Sequence, residues 1–405
     1  MIGRYISRIG NFIQLDLDYY IRNSFYLITA RGVIMACGLL LSVTFARLVS
    51  QETYGQWNYL LSIIGICAIL TLPGMNTAIT QAVATGNDRV LIEGTKQRFK
   101  WSLLGSLILA GVGLYYLLVD NTGLGSGLLV AALFLPFYQN FDSYMAYITG
   151  KKQFDRLAKY QIITQVAAIL VTILVIYLSR NLTVIVVAYL LSFSVLRGYF
   201  FRVASREVTS HKSDPGAITF GNHMTITQIP ASIRSHYDKI IIALFLSFPD
   251  LAIYSIALAF SEILSPLRSI IASLIFPKLS QMDKKEAYSE VRKRWLLVIA
   301  GFAVIGGILI ALCPYVIPFL YSQKYTASVL YAQLLIVSVV ISAPIPIISK
   351  ALFPSQRRIK DLYKLQISSS VVGIILATLL VINYGLLGAV IALMLMRVFS
   401  LVYSL

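Results

Sequence analysis

Charge is what this sequence has least of. Only 13% of its 405 residues are Asp, Glu, Lys or Arg, about half the share carried by an ordinary soluble domain. That scarcity excludes a water-facing globular surface for most of the chain. Acids are scarcer still, 17 against 34 basic residues. Cys37, Cys67 and Cys313 are the only cysteines. All three fall inside apolar stretches without metal-ligand spacing, so they read as small packing residues, and neither a zinc site nor a disulfide framework is expected. No Gly-rich phosphate loop is present, which argues against ATP as a driver. Residues Met1 to Tyr20 are too polar for a signal core, and Asp16 and Asp18 would spoil a cleavage site.

What the chain has in abundance is apolar length. Hydrophobic residues make up 58% of it, gathered into runs of roughly 20, each able to cross about 30 Å of hydrocarbon as a helix. Twelve are legible, near residues 25–48, 57–83, 101–119, 124–149, 160–178, 183–201, 218–246, 251–276, 295–312, 325–352, 365–382 and 385–402. A membrane barrel would instead give alternating segments of about ten residues. The expected fold is an all-α polytopic membrane protein with about 12 transmembrane helices.

The connecting segments set an orientation. Lys and Arg number 24 in the N-terminal segment and every second loop after it, whereas the intervening loops hold only Arg47, Arg180 and Lys324. The positive-inside rule then puts the basic loops and both termini in the cytoplasm. The net charge of +17 is mostly this topology signal. Nucleic acid is not an expected partner, because the basic residues are scattered over six short segments. Within residues 1–23, Ile2, Tyr5, Ile6, Ile9, Phe12 and Ile13 recur at helical spacing opposite Arg4 and Arg8, a pattern for an interfacial amphipathic helix.

The chain reads as duplicated. Ser50-Gln51-Glu52-Thr53-Tyr54-Gly55-Gln56-Trp57 and Ser247-Phe248-Pro249-Asp250-Leu251-Ala252-Ile253-Tyr254 superpose at an offset of 197 residues. Each turn leads into a span interrupted by proline, at Pro73-Gly74 and at Pro266. Parallel repeats give two pseudo-symmetric six-helix lobes, residues 24–203 and 218–405, joined by a polar linker at 204–217. That is a transporter architecture with inward/outward alternating access. Pro73, Gly74 and Pro266 are candidate gating kinks, and a fixed packing bend is the plainer alternative.

Seven basic residues break the sorting rule by lying within the apolar runs: Arg31, Arg197, Arg234, Lys239, Arg268, Lys350 and Arg397. Asp142, Asp238 and Glu262 are the acids that share the setting. Arg197, Lys350 and Arg397 are close enough to helix ends to snorkel. Arg234 and Asp238 are four apart, so an unbroken helix would pair them. Lys239 points about 100° further round. An unpaired cation in lipid costs about 2.5–3.5 kcal/mol, so Arg31, Arg234 and Arg268, with Lys239 as a fourth, are candidate ligands for an anionic group in a hydrated cavity. Asp142, Asp238 and Glu262 are candidates for coupling to an H⁺ or Na⁺ gradient or for plain charge balance. No catalytic or metal-ligand constellation is present.

The stretch Ala30-Arg31-Gly32 through Ala46-Arg47-Leu48-Val49-Ser50-Gln51-Glu52-Thr53-Tyr54-Gly55-Gln56-Trp57 resembles the opening of bacterial oligosaccharide flippases. These are the O-antigen translocase group of the multidrug/oligosaccharidyl-lipid/polysaccharide exporter superfamily. Asp238-Lys239-Ile240-Ile241-Ile242-Ala243, followed by Asp250-Leu251-Ala252-Ile253-Tyr254-Ser255, is similar to the start of that family's second lobe. Tyr147-Ile148-Thr149-Gly150-Lys151-Lys152-Gln153-Phe154 resembles its fourth-to-fifth helix junction. The resemblance implies a non-enzyme of the bacterial inner membrane that flips undecaprenyl-pyrophosphate-linked oligosaccharide, an O-antigen or other surface repeat unit, to the periplasmic leaflet. It also implies work beside a polymerase and a chain-length regulator, with no bound cofactor. The anionic pyrophosphate suits a cationic interior, and Arg geometry suits phosphate.

Two rivals belong to other classes. A drug or metabolite exporter would use the same fold. A membrane-embedded polymerase or ligase would need a long external loop, and here those loops are short and hold only Glu52, Asp120 and Asp250 as acids.

Overall fold

The computed structural model describes residues 17–209, 214–356 and 358–404. The amphipathic pattern of residues 2–13 lies outside them. Among the described residues all regular structure is helical: α1 (Leu17–Leu48), α2 (Gln51–Cys67), α3 (Met75–Ala84), α4 (Val90–Leu118), α5 (Thr122–Asn140), α6 (Ser143–Gly150), α7 (Phe154–Leu178), α8 (Leu182–Arg206), α9 (Pro215–Arg234), α10 (Tyr237–Phe245), α11 (Phe248–Ser261), α12 (Ser265–Ser280), α13 (Lys284–Tyr321), α14 (Ser328–Ile341) and α15 (Ile359–Ser404).

Eight helical stretches are long and apolar enough to cross a bilayer, and two bent pairs raise that to 10. The bent pairs are Gln51–Thr71 with Met75–Ala84, at 50°, and Ser328–Ile341 with Ile345–Ser355, at 42°. One of the eight stretches, Lys360–Ser404, has 45 residues, roughly 68 Å at 1.5 Å per residue and too long for one crossing. It turns at Gly385, whose φ of 59° and ψ of −140° suit a residue without Cβ. It therefore makes two spans. The α9–α10 pair supplies the twelfth, kept polar by Asn222, His223, Thr225, Thr227 and Gln228. The protein is an all-helical, multi-pass membrane protein.

Helix α4 illustrates the packing rule. Leu103, Leu107, Leu114 and Leu118 are exposed on one face, while Ser102, Gly105, Leu109 and Gly113 are buried on the other. Lipid is as apolar as leucine, so the small residues go inside, where backbones approach closely. On the side poor in Lys and Arg, the turns close on uncharged caps. Ser50 Oγ accepts the Thr53 amide at 3.1 Å, and Ser247 Oγ accepts the Asp250 amide at 3.2 Å. Those two caps are related by the 197-residue offset, so the repeat survives in hydrogen bonding where sequence identity has faded. Asn121 and Asn181 cap α5 and α8 likewise, at 3.2 Å to Leu124 N and 2.9 Å to Thr183 N.

The chain forms two compact units: Met1–Leu48 with Cys67–Gln228, and Val49–Ile66 with Ile229–Leu405. They cut across the lobes read from the sequence at two places, both in interrupted spans. The α2–α3 span divides between Ile66 and Cys67, at the end of α2 and ahead of the break at Leu72–Gly74. The α9–α10 span divides inside α9, one residue before Pro230. The first unit has a core around Met75, Ile79, Leu91, Tyr144 and Tyr147. In the second, Leu279, Val291, Ile348, Leu352 and Phe353 pack together.

Candidate anion site

Helix breaks place the intramembrane acids. Asp142 stands between α5 and α6, Asp238 lies in the first turn of α10, and Glu262 opens a 3₁₀ turn (Glu262–Leu264) between α11 and α12. A restarted helix presents unpaired N–H groups and the positive end of its dipole, so a carboxylate is least costly there. Pro266 is at the start of α12, where its missing N–H breaks no hydrogen bond.

In the second unit the 3₁₀ turn brings Glu262 onto two arginines. Its Oε2 is 3.0 Å from Arg268 Nη2 and its Oε1 is 2.6 Å from Arg397 Nη2. Six residues of unbroken helix would turn Arg268 about 120° away from Glu262; the break makes the contact. Arg268 Nη1 is 3.5 Å from Ser342 Oγ, and Arg397 Nη1 is 3.4 Å from Ser338 Oγ. Arg234 Nη1 reaches Ser369 Oγ at 3.4 Å. Arg397 is near enough to both Arg234 and Arg268 for the charges to repel. Two guanidiniums thus share one carboxylate, and with Arg234 close to Arg397 the group carries an excess of two positive charges. Arg268 is only 8% exposed, and its Nε is buried without a hydrogen-bond partner among the described residues.

Several expectations change here. Arg234 does not pair with Asp238, because the helix ends at Arg234 and restarts at Tyr237 after a non-helical His236 (φ −133°). Asp238 instead accepts from the Tyr254 hydroxyl at 2.7 Å and from the Lys239 amide at 2.9 Å. It has no ion pair among the described residues. Lys239 is half-buried on the same turn. Arg397 does not snorkel, since Glu262 holds it. Lys350 is exposed, in a π-helical turn (Ile348–Leu352), with Nζ 3.0 Å from Ser269 Oγ.

The first unit holds a second buried charge group that the sequence reading missed. Arg98 is counted with the basic loops by hydropathy, but α4 carries it inward and leaves it 1% exposed. Its Nη1 lies 2.6 Å from Asp142 Oδ1, 2.8 Å from Asn76 Oδ1 and 2.7 Å from Ser143 Oγ. Nε donates to the Thr71 carbonyl at 2.9 Å and Nη2 to the Gln139 carbonyl at 2.8 Å. This satisfied network makes Asp142 a structural partner of Arg98. The available signal was the polar run Asn76, Thr77 and Thr80 beyond the Pro73 break, which needed a buried partner. Arg197 is not a snorkelling residue either. It donates to the Tyr138 carbonyl at 2.5 Å, and its guanidinium lies 4.5 Å over the Tyr138 ring and 5.1 Å over the Phe193 ring. Arg31 is exposed on α1, with no hydrogen bond or ion pair to another described residue.

The candidate kinks sit at close backbone approaches. Leu72 takes a left-handed φ of 52°, and Pro73-Gly74 starts α3 at a new angle. In the first unit the Gly74 amide donates to Thr225 Oγ1 at 3.1 Å, and a Cβ on Gly74 would lie 2.2 Å from Thr225 N. In the second unit a Cβ on Gly55 would lie 1.9 Å from the Phe248 carbonyl oxygen, and one on Gly65 would meet the His236 ring. The partners of Gly74 and Gly65 both lie in the α9–α10 span.

A family model described as "Polysaccharide biosynthesis protein" matches residues 44–330. The chain belongs to that family. No curated protein matches this family member in sequence. Its fold is that of a lipid II flippase, MurJ, in an inward closed conformation, with TM-score 0.65, 16% identity, 95% of this chain and 86% of that one covered. It is also that of a multidrug resistance MATE transporter of the MOP superfamily, facing inward, with TM-score 0.62, 14% identity and coverage of 92% and 93%. A MATE transporter facing outward aligns with TM-score 0.58, 13% identity and coverage of 95% and 93%. Likeness at such low identity establishes the shared fold of this polysaccharide biosynthesis family member.

Proposed function

We propose that this protein is a flippase for an undecaprenyl-pyrophosphate-linked oligosaccharide, carried from the cytoplasmic to the periplasmic leaflet of the bacterial inner membrane. The observation that carries the proposal is the pairing of Arg268 and Arg397 on the one carboxylate of Glu262, with Arg234 as a third cation close to Arg397. The group's excess of two positive charges, with an unused buried Nε on Arg268, suits a pyrophosphate. Guanidinium forks bind such groups through paired, charge-assisted hydrogen bonds. Family membership supports the polysaccharide pathway, and a flippase of a lipid-linked substrate shares the fold. Arg31 and Lys239 remain candidate contacts along the route.

The cycle we propose opens and closes two contacts in turn, Gly55 against Phe248 and Gly74 against Thr225, with the Pro73 and Pro266 breaks taking up the bending. An ion gradient drives it. Asp238 is the best candidate to take up H⁺ or Na⁺, because Asp142 and Glu262 are each held by arginine at 2.6 Å. Export of a small drug or metabolite is the second reading, favoured by the MATE folds. An arginine-rich site disfavours cationic drugs.

The test is a strain depleted of the protein, complemented with Arg234→Ala, Arg268→Ala or Arg397→Ala. Each variant is expected to reach the membrane, to accumulate cytoplasmic lipid-linked oligosaccharide and to lower surface glycan. Full surface glycan in all three would remove the arginine site from the mechanism. Normal glycan on depletion of the protein itself would remove the flippase.

A further inference from the structure

The second unit contains a pocket that the proposed transport site does not use. It has a volume of about 580 Å³ and opens between the start of α13, the π-helical turn at Ile348–Leu352 and the end of α15. Lys284, Lys285 and Arg292 line it with the hydroxyls of Tyr288 and Ser289, over an apolar floor of Val291, Ile348 and Leu352. We infer that it binds a phosphate-bearing anionic headgroup, at the membrane end that carries the basic loops.

Three observations converge. Residues 284, 288, 291 and 292 recur at helical spacing, so α13 turns one face with three cations nearby into the cavity. No acid lines it. Of the neighbouring acids, Glu290 is held by Lys278 at 2.7 Å and Arg294 at 3.0 Å and Asp361 by Arg358, while Asp283 and Glu286 stand in the same turn as the lysines but do not line the cavity. Lys284, Lys285 and Arg292 have no ion pair at contact distance among the described residues. Second, Lys284 and Lys285 occupy the first turn of α13, the positive end of a helix dipole, where cations are unfavourable and anions welcome. The N-cap, Asp283, accepts no side-chain cap hydrogen bond, so first-turn N–H groups are open to a ligand. Third, the apolar floor beside the cations matches an amphipathic phosphate, and clustered Lys and Arg next to a transmembrane helix is the pattern of anionic-lipid recognition. None of the three arginines of the transport site lines this pocket.

The experiment uses the full-length protein and native mass spectrometry, with phosphatidylglycerol, phosphatidylcholine and inorganic pyrophosphate as separate probes. Phosphatidylglycerol is expected to be retained over phosphatidylcholine. K284Q/K285Q/R292Q should weaken retention about tenfold or more, given the attraction of each cation for an anionic headgroup. S289W, which fills the cavity without changing charge, should do the same. K96Q/K100Q/R202Q, removing three exposed cations from the first unit, should leave retention unaltered. Pocket-dependent retention of the lipid or of pyrophosphate supports the site and tells which source fills it. The inference fails if neither probe responds to the pocket variants, or if the K96Q/K100Q/R202Q control loses as much. Melting temperatures of all variants separate lost binding from lost fold.

Discussion

Glu262 has an unusual burden for one carboxylate, since two guanidiniums depend on it at 3.0 and 2.6 Å. Removing one member of a buried pair normally costs about 3–5 kcal/mol because a charge is stranded. The Glu262 side chain is 35% exposed, which lowers the expectation to about 1–3 kcal/mol. Glu262→Gln should therefore lower the melting temperature in detergent, and Glu262→Gln with Arg397→Gln should recover part of the loss. A double variant no better than the single one would mean that the pair does not couple. Arg98 makes a sharper case, because it is buried with five acceptors around it. Arg98→Ala is expected to cost about 3–5 kcal/mol and to reduce the protein recovered from membranes. Arg98→Lys should not rescue it, since an ammonium cannot span acceptors set out for a fork. Arg31→Ala should leave recovery unchanged. Equal recovery of Arg98→Ala and Arg31→Ala would sink this distinction.

At the scale of elements, helix breaks decided which sequence-based expectations held. The i,i+4 rule paired Arg234 with Asp238, and a break at Ser235-His236 separated them. Spacing alone would have kept Glu262 and Arg268 apart, and a 3₁₀ turn joined them. Twelve spans, the repeat and the two proline-interrupted segments were legible because hydropathy and proline are local signals. Arg98 was not, because a basic residue near a helix start looks the same whether the helix begins before or after it. Hydrogen bonding to Thr71, Asn76 and Asp142 is a long-range fact. The close approaches lead to a prediction of their own. A methyl group on Gly74 has no room beside Thr225, and overpacking of this kind costs about 1–3 kcal/mol. In a background lacking Cys37, Cys67 and Cys313, Gly74→Ala should make a cysteine at Thr227 more reactive to a thiol reagent and slow export. Unchanged labelling together with normal export would show that the contact is dispensable.

For the whole molecule, the charge pattern makes a topology that reporters can test. Alkaline phosphatase fused after Asn121 should be active, and fused after Lys285 inactive, if the basic loops face the cytoplasm. The reverse result would invert the orientation and with it the direction of transport. The two compact units carry a further consequence. Residues 49–66 belong with the C-terminal unit, and residues 215–228 belong with the N-terminal one. Each half of the duplicated chain thus lends a piece of helix to the other. A gene fragment encoding either half alone would make a product with a vacant groove and an orphaned helix. If the duplication began as one six-helix gene, its product was already an exchange partner for a second copy of itself. On that origin, joining the two genes would keep the exchange within one chain.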